Sequence, residues 1–268
     1  MQPGFALAGK AIRENLDGEP DPLGPQKDVS ESRWRTALLQ FWRGQLERIE
    51  ARLEPGIPQE RKAIDDLPKR LDKKFWDNEN RLLLAEILPL LSEGAEEAAL
   101  FSAETIEGAT GIGVDWTLVN TEAAKWARTH AGELAKGITK TTRNNIGQHV
   151  AEFVETPGMT LGDLRQKLAK LPAFSENRAR MIAVTETTRA AREGNLATAR
   201  TYENEGLFTW ERTWHTNRDS LVCELCRPLD GKKAGGLDEE YPLGGGAGPP
   251  RHPRCRCWET LKPIVSGP

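Results

Sequence analysis

A mainly helical chain with a helical-bundle region, closing in a small C-terminal α+β unit of two or three antiparallel strands, is the fold class that three features of this sequence predict. Apolar residues recur at three- and four-residue spacing from about residue 30 to 205, the spacing drops to two after Gly206, and all four cysteines fall between Cys223 and Cys257. The first pattern is that of amphipathic helices and the second that of a half-buried strand. The third gathers soft ligand atoms into one short, loop-rich stretch.

Residues 1–29 hold Gly4, Gly9, Gly18, Pro20, Pro22, Gly24 and Pro25 among few large apolar groups. Burial there cannot offset the entropy of ordering, and an extended N-terminal arm is expected. From Asp28, which forms a capping arrangement with Glu31, the residues Trp34, Leu38, Phe41, Trp42, Leu46, Ile49 and Leu53 trace a helix that Pro55-Gly56 stops. A second helix is expected from near Pro68, burying Leu71, Phe75, Leu82 and Leu84 and kinked or ended at Pro89. A third covers about 93–107, before Gly108, Gly111 and Gly113. Residues 30–113 thus form a helical region expected to be the docking surface through Trp34, Phe41, Trp42 and Trp76, the alternative being that these aromatics fill a bundle core.

The second region is residues 114–268. Helical spacing resumes at Asn120-Thr121, passes Ala124 and Trp126, and returns through Leu134, Ile138, Ile146, Val150 and Phe153 before Pro157-Gly158. Thr160 and Asp163 cap a short helix carrying Leu161, Leu164 and Leu168, which ends before Pro172. Ser175 opens a helix to about Glu205 with Ala179, Ile182, Ala183, Glu186, Ala190 and Ala197 near one face, small enough for close packing. Phe208, Trp210, Arg212 and Trp214 then alternate with Thr209, Glu211 and Thr213 as a strand, and Cys257-Trp258 to Leu261 is its expected antiparallel partner within a β unit of about 207–263. Asp230-Gly231 signals a turn between them.

The cysteines carry the chemistry. Cys223-Glu-Leu-Cys226, a Gly/Pro-rich loop of about 25 residues, and His252-Pro-Arg-Cys255-Arg-Cys257 have zinc-ligand spacing, two short pairs that can close a tetrahedron around one ion. Five donors compete for four places. The spacing favours Cys223, Cys226, His252 and Cys255 on one structural Zn2+, with Cys257 as the alternative to Cys255. A catalytic zinc would leave one position to water. Disulfides belong to secreted chains, and the start Met1-Gln-Pro-Gly-Phe-Ala-Leu has neither a basic opening nor a long apolar run, so reduced thiols in a cytoplasm-like compartment are expected.

With 38% apolar and 29% charged residues and a mean hydropathy of −0.58, the chain is polar, and its longest apolar runs are too short to span a bilayer. The net charge of −3 is uneven. Residues 1–156 carry 20 Lys and Arg against 26 Asp and Glu, and residues 157–268 carry 17 against 14. Arg251, Arg254 and Arg256 alternate with the metal ligands and are expected to offer cations to nucleic-acid phosphates. No catalytic set emerges. Glu186 reads as a hydrogen-bonded structural carboxylate beside Arg189. His215 near Asp219 would suit a nuclease-like site but lacks a second His or Asn downstream, and His130 and His149 read as surface residues. Gly244 to Gly248 lacks the Lys-Ser/Thr and the helix of a phosphate loop.

This layout resembles the phage head morphogenesis, or Mu F-like minor head, proteins. The resemblance rests on Thr185-Glu186 in a helix, the tryptophan-bearing strand Trp210 to Asp219, Cys223 and Cys226, Leu229-Asp230-Gly231, and Pro249-Pro250-Arg251-His252-Pro253-Arg254-Cys255-Arg256-Cys257. It covers roughly 115–263. It implies a non-enzymatic minor capsid protein that meets the phage portal protein, and scaffold or major capsid protein, inside the procapsid. It also implies a part in head assembly and in packaging or delivery of double-stranded DNA. Assembly would take place in the host cytoplasm and the protein would end in the virion interior, away from membranes. Two alternatives stay open. An enzyme with a related nuclease or toxin-like module would carry a fused catalytic domain, where only Ile264 to Pro268 follow here, and a zinc-dependent nucleic-acid binder would show a strongly basic helix, which is not evident.

Overall fold

The computed structural model of the chain describes residues 20–53, 67–156 and 158–265. Among them are five helices, α1 (Gly24–Leu53), α2 (Lys73–Thr110), α3 (Trp116–Glu155), α4 (Leu161–Ala169) and α5 (Glu176–Asn204), with a single helical turn at Leu67–Arg70 ahead of α2. They precede a three-stranded antiparallel sheet of β1 (Phe208–His215), β2 (Lys233–Gly235) and β3 (Trp258–Val265), in the order β2-β1-β3. The expected class, mainly α with a small C-terminal antiparallel sheet, is the observed one.

Local chemistry sets the helix ends. α1 begins at Gly24, ahead of the expected cap at Asp28, because Asp21 does the capping. Its carboxylate accepts the Leu23 N–H at 3.0 Å and pairs with Lys27 at 2.7 Å, and its carbonyl accepts the Gly24 N–H at 2.9 Å. Residues 1–19 of the expected arm, the Pro55-Gly56 stop and Pro157 lie outside the described residues. At α4 the capping box is complete: Thr160 Oγ1 accepts the Asp163 N–H at 3.2 Å while Asp163 accepts the Thr160 N–H at 2.8 Å. Ser175 Oγ accepts the Arg178 N–H at 3.2 Å and so opens α5.

Two expectations fail in the middle of the chain. Of the two outcomes expected at Pro89, a kink or an end, the end does not occur: α2 runs on to Thr110 and joins two expected helices. The buried line Leu83, Ile87, Leu90 and Leu91 brackets the proline and holds the helix together across its missing donor. Leu82 faces solvent and Leu84 is half-buried, because three successive leucines leave periodicity no means of choosing between them. Likewise α3 is one helix of 40 residues. Its buried line is Val119, Ala123, Ala127, Ala131 and Ala135, while Ala124 and Trp126 are only half-buried.

The chain forms two compact units. One comprises Arg33–Pro89 and Thr129–Arg180. Its core joins Ile49, Leu53, Phe75 and Trp76 to Ile146, Val150, Phe153, Leu164 and Leu168. Trp34, Phe41, Trp42 and Trp76 are all buried, so these aromatics fill a core. Two charged groups are built into it. Glu79 is fully buried and takes a two-pronged pair from Arg48 at 2.7 and 2.8 Å with Gln45 at 3.1 Å. Arg178 donates to Ala173 O, Thr142 Oγ1 and Ile138 O at 2.6, 3.0 and 3.1 Å and lies over the Trp42 ring, and burial brings its guanidinium down to about 10.

The other unit holds the described residues up to Ser32, Leu90–Arg128, and Met181 onward. Here α2 and α5 meet backbone to side. A Cβ on Gly194 would stand 2.1 Å from Ala95 O, and Thr198 Oγ1 donates to Ala99 O at 2.9 Å. The sheet packs on α5 through Phe208 and Trp210, whose indole donates to Ala199 O at 3.0 Å. β3 pairs with β1 along its whole length, from Phe208↔Val265 to His215↔Trp258.

Between Trp210 and Trp214 the inward position of β1 is taken by Arg212, which has no exposed surface. Its guanidinium donates to Gly236 O at 2.9 Å, Ala247 O at 2.6 Å and Glu239 O, pairs with Glu259 of β3 at 3.3 Å, and lies over the Tyr241 ring. Glu259 also pairs with Arg192 of α5 at 2.9 Å and accepts from Tyr241 Oη at 2.9 Å. Burial and the Glu259 charge push the Tyr241 phenol upward, so it stays a donor.

Two substitutions test this packing. Gly194→Ala, although alanine is the better helix former, is expected to lower stability by roughly 1–3 kcal/mol through overpacking, measured by chemical denaturation; a raised midpoint would contradict the backbone contact. Arg212→Met leaves Glu259 buried beside one arginine instead of two and is expected to cost about 3–5 kcal/mol, with unchanged stability the contrary result.

Candidate metal centre

Turns, not regular elements, aim the donors of the 223–257 stretch. Cys223 O accepts the N–H groups of Cys226 and Arg227 at 3.2 and 3.0 Å, which curls the first pair. His252 O accepts the Cys255 N–H at 3.1 Å and curls the second. Cys223 Sγ and Cys226 Sγ lie 3.1 and 3.2 Å from His252 Nε2, and Cys226 Sγ lies 3.9 Å from Cys255 Sγ. The ligand-to-ligand edges of a zinc tetrahedron built on sulfur and nitrogen are about 3.5–3.8 Å. All five expected donors are gathered in two triads, Cys223–Cys226–His252 and Cys226–Cys255–Cys257, each with its donor atoms within 4.8 Å of one another. Cys226 belongs to both.

The surroundings suit a cation. His252 Nδ1 lies 2.8 Å from Pro253 O, which can only accept, so Nδ1 carries the proton and Nε2 turns an open lone pair to the sulfurs. The three sulfurs of the second triad are buried. The hydrogen bond from the Cys257 thiol holds Cys255 down to about 5, burial and the Cys255 charge push Cys226 up to about 12, and Cys257 is driven up by the proton it shares with Cys255 and by burial. Of the three buried sulfurs, Cys255 is the one favoured as a thiolate, and a divalent ion is what would let the others join it.

The framework is tied at four points. Asp230 accepts Thr216 N–H at 2.8 Å, Thr216 Oγ1 at 3.2 Å and Arg218 Nε at 3.1 Å, which anchors the chain leaving β1. Thr185 of α5 accepts the Arg254 N–H at 2.9 Å, where Arg254 adopts φ 66°. Arg256 pairs with Asp219 at 2.5 Å, and Arg251 donates to Leu225 O at 2.5 Å and Leu243 O at 3.3 Å. Two of the three arginines expected at phosphates therefore hold the two ligand turns together, and Arg254 is the exposed one. His215 is buried, stacked on Trp258 at 4.3 Å and 2.9 Å from Thr260 Oγ1, and Glu186 is buried with Arg189 at 3.4 Å.

Sequence reasoning missed the ionic centre of Arg212, Glu259, Arg192 and Tyr241. Its signal was present, a charged residue in the inward register of an otherwise aromatic strand.

Residues 144–260 match the family model described as Phage Mu protein F like protein. The matched stretch runs from the second half of α3 into β3 and contains all five donors and the ties that hold them. No curated protein and no solved structure matches the chain. Over residues 144–260, a little under half of the chain, the sequence is similar to the phage Mu F-like family.

Proposed function

We propose that the chain is a structural, non-enzymatic minor head protein of a tailed bacteriophage, acting in head morphogenesis and carried in the virion. On this reading it joins the head through other head proteins, with the portal protein inside the procapsid as first partner and scaffold or major capsid protein as alternatives. It accompanies DNA packaging or delivery. The observation that carries the reading is the complete donor cluster, with its supporting ties, inside the stretch matched to the family. Among the described residues no helix is long and apolar enough to cross a membrane, in keeping with a site of action away from one.

The donor cluster holds one structural Zn2+ in this reading, bound by Cys223, Cys226, His252 and Cys255. The ion supplies folding energy to a loop-rich unit poor in apolar core. His252 contributes Nε2 with its tautomer set by Pro253, and Cys257 supports Cys255 from behind.

Mass spectrometry of purified procapsids, with cross-linking, tests the assignment: the chain is expected at low copy number and linked to portal protein, and its absence from heads would refute it. Elemental analysis is expected to find one zinc per chain. Cys226→Ser, which removes the donor common to both triads, is expected to lose the metal and lower the melting temperature, whereas full zinc content in that variant would exclude the centre.

A further inference from the structure

Dividing the charge by folded units reverses its division by sequence. Among the described residues, the unit that contains the metal cluster carries 15 Lys and Arg against 22 Asp and Glu, a net of −7, and the unit of Arg33–Pro89 and Thr129–Arg180 carries 18 against 11, a net of +7. The apparent basicity of the C-terminal half came from residues that fold into the other unit.

Within the basic unit, α3 exposes Lys136, Lys140 and Arg143 at spacings of four and three, which puts them on one side of the helix. None of the three has a salt bridge or hydrogen-bond partner among the described residues. Glu133 is the single carboxylate between Gly132 and Gly147. Lys136 to Arg143 spans about 10.5 Å along the axis, about three base-pair steps measured along a duplex axis. The other exposed positions of this stretch are Glu133, Gly137, Thr141, Asn144, Gly147 and Gln148, with no large apolar group. Protein interfaces depend on such groups at their centre; a phosphate backbone needs only cations and polar donors.

A second observation lies on the same side. Gly132 and Gly147 sit inside α3, where glycine weakens a helix relative to alanine, yet a Cβ at either would meet nothing within 4 Å. Nothing within the described chain needs them small. Their bare backbone lets an outside surface approach α3 closely.

We propose that the face of α3 between Gly132 and Gly147 is a contact for the phosphate backbone of double-stranded DNA, read without regard to base sequence. The proposal rests on the head-protein reading, in which the chain meets packaged DNA, and it moves the contact away from Arg251 and Arg256. The test is fluorescence-anisotropy titration of a 30-base-pair duplex with the full-length zinc-loaded protein over a range of salt. The triple variant Lys136→Ala, Lys140→Ala, Arg143→Ala is expected to lose at least about tenfold in affinity, and its slope of log affinity on log salt to fall by roughly 2–3. Gly132→Ala with Gly147→Ala is expected to raise the melting temperature and weaken binding together. A parent that binds no duplex at low salt, a triple variant that binds like the parent, or a triple variant that keeps DNA but loses a head-protein partner would each overturn the proposal. Copy number of the parent protein in heads separates the two readings: a parent that is incorporated but binds no duplex leaves the head-protein assignment standing and removes this one, and a parent that binds duplex but is not incorporated does the reverse.

Discussion

A guanidinium with no exposed surface is the point on which the C-terminal unit depends. Moving Arg212 out of water is costly, and the chain offsets that with Glu259 and with the carbonyls of Gly236, Glu239 and Ala247, all of which belong to the long connection between β2 and the second ligand pair. That connection is rich in glycine, and its buried large side chains are Leu237, Tyr241 and Pro249. Its backbone dipoles converge on one cation, so the loop is ordered by what it accepts more than by what it buries. Trp214 and Tyr241, edge to face at 5.3 Å, separate this charge from the sulfur cluster. The unit thus has a cation at one end and a cluster of metal donors at the other.

The two units pack their helices by different means. One uses large aromatics and sinks Glu79 and Arg178 among them, each held by several hydrogen bonds. The other brings helix backbones close through Ala95, Ala123 and Ala197 and the bare Cα of Gly194. Large side chains tolerate small shifts by changing rotamer, but backbone contact does not.

Where the sequence was legible, the signal was local. The capping box of Thr160 and Asp163, Ser175 at the head of α5, the alternation along β1, and the grouping of four cysteines with His252 each need only a few neighbouring residues to be recognised. The missed features depend on comparison between elements. Leu82 could not be told from Leu83 until a partner surface picked one, and the alanine line of α3 carries too little hydropathy contrast to stand out. Pro89 reads as a kink or a stop, and only flanking burial shows that the helix runs through it. Arg212 was legible as an inward residue, but its partners lie 24 to 47 residues away. The charge balance misled because both units are assembled from separated stretches of chain.

The crossing at Gly194 has a mechanical meaning. Packed helices usually accommodate motion by sliding a little along one another, and such shear needs a smooth groove. At this crossing Ala95 O sits where a side chain would otherwise be, and α5 has no other glycine to receive it. A slide of one turn, about 5.4 Å, would drive that oxygen into a side chain. The pair can therefore pivot about this point but not translate through it, which makes the crossing a fixed axle within its unit.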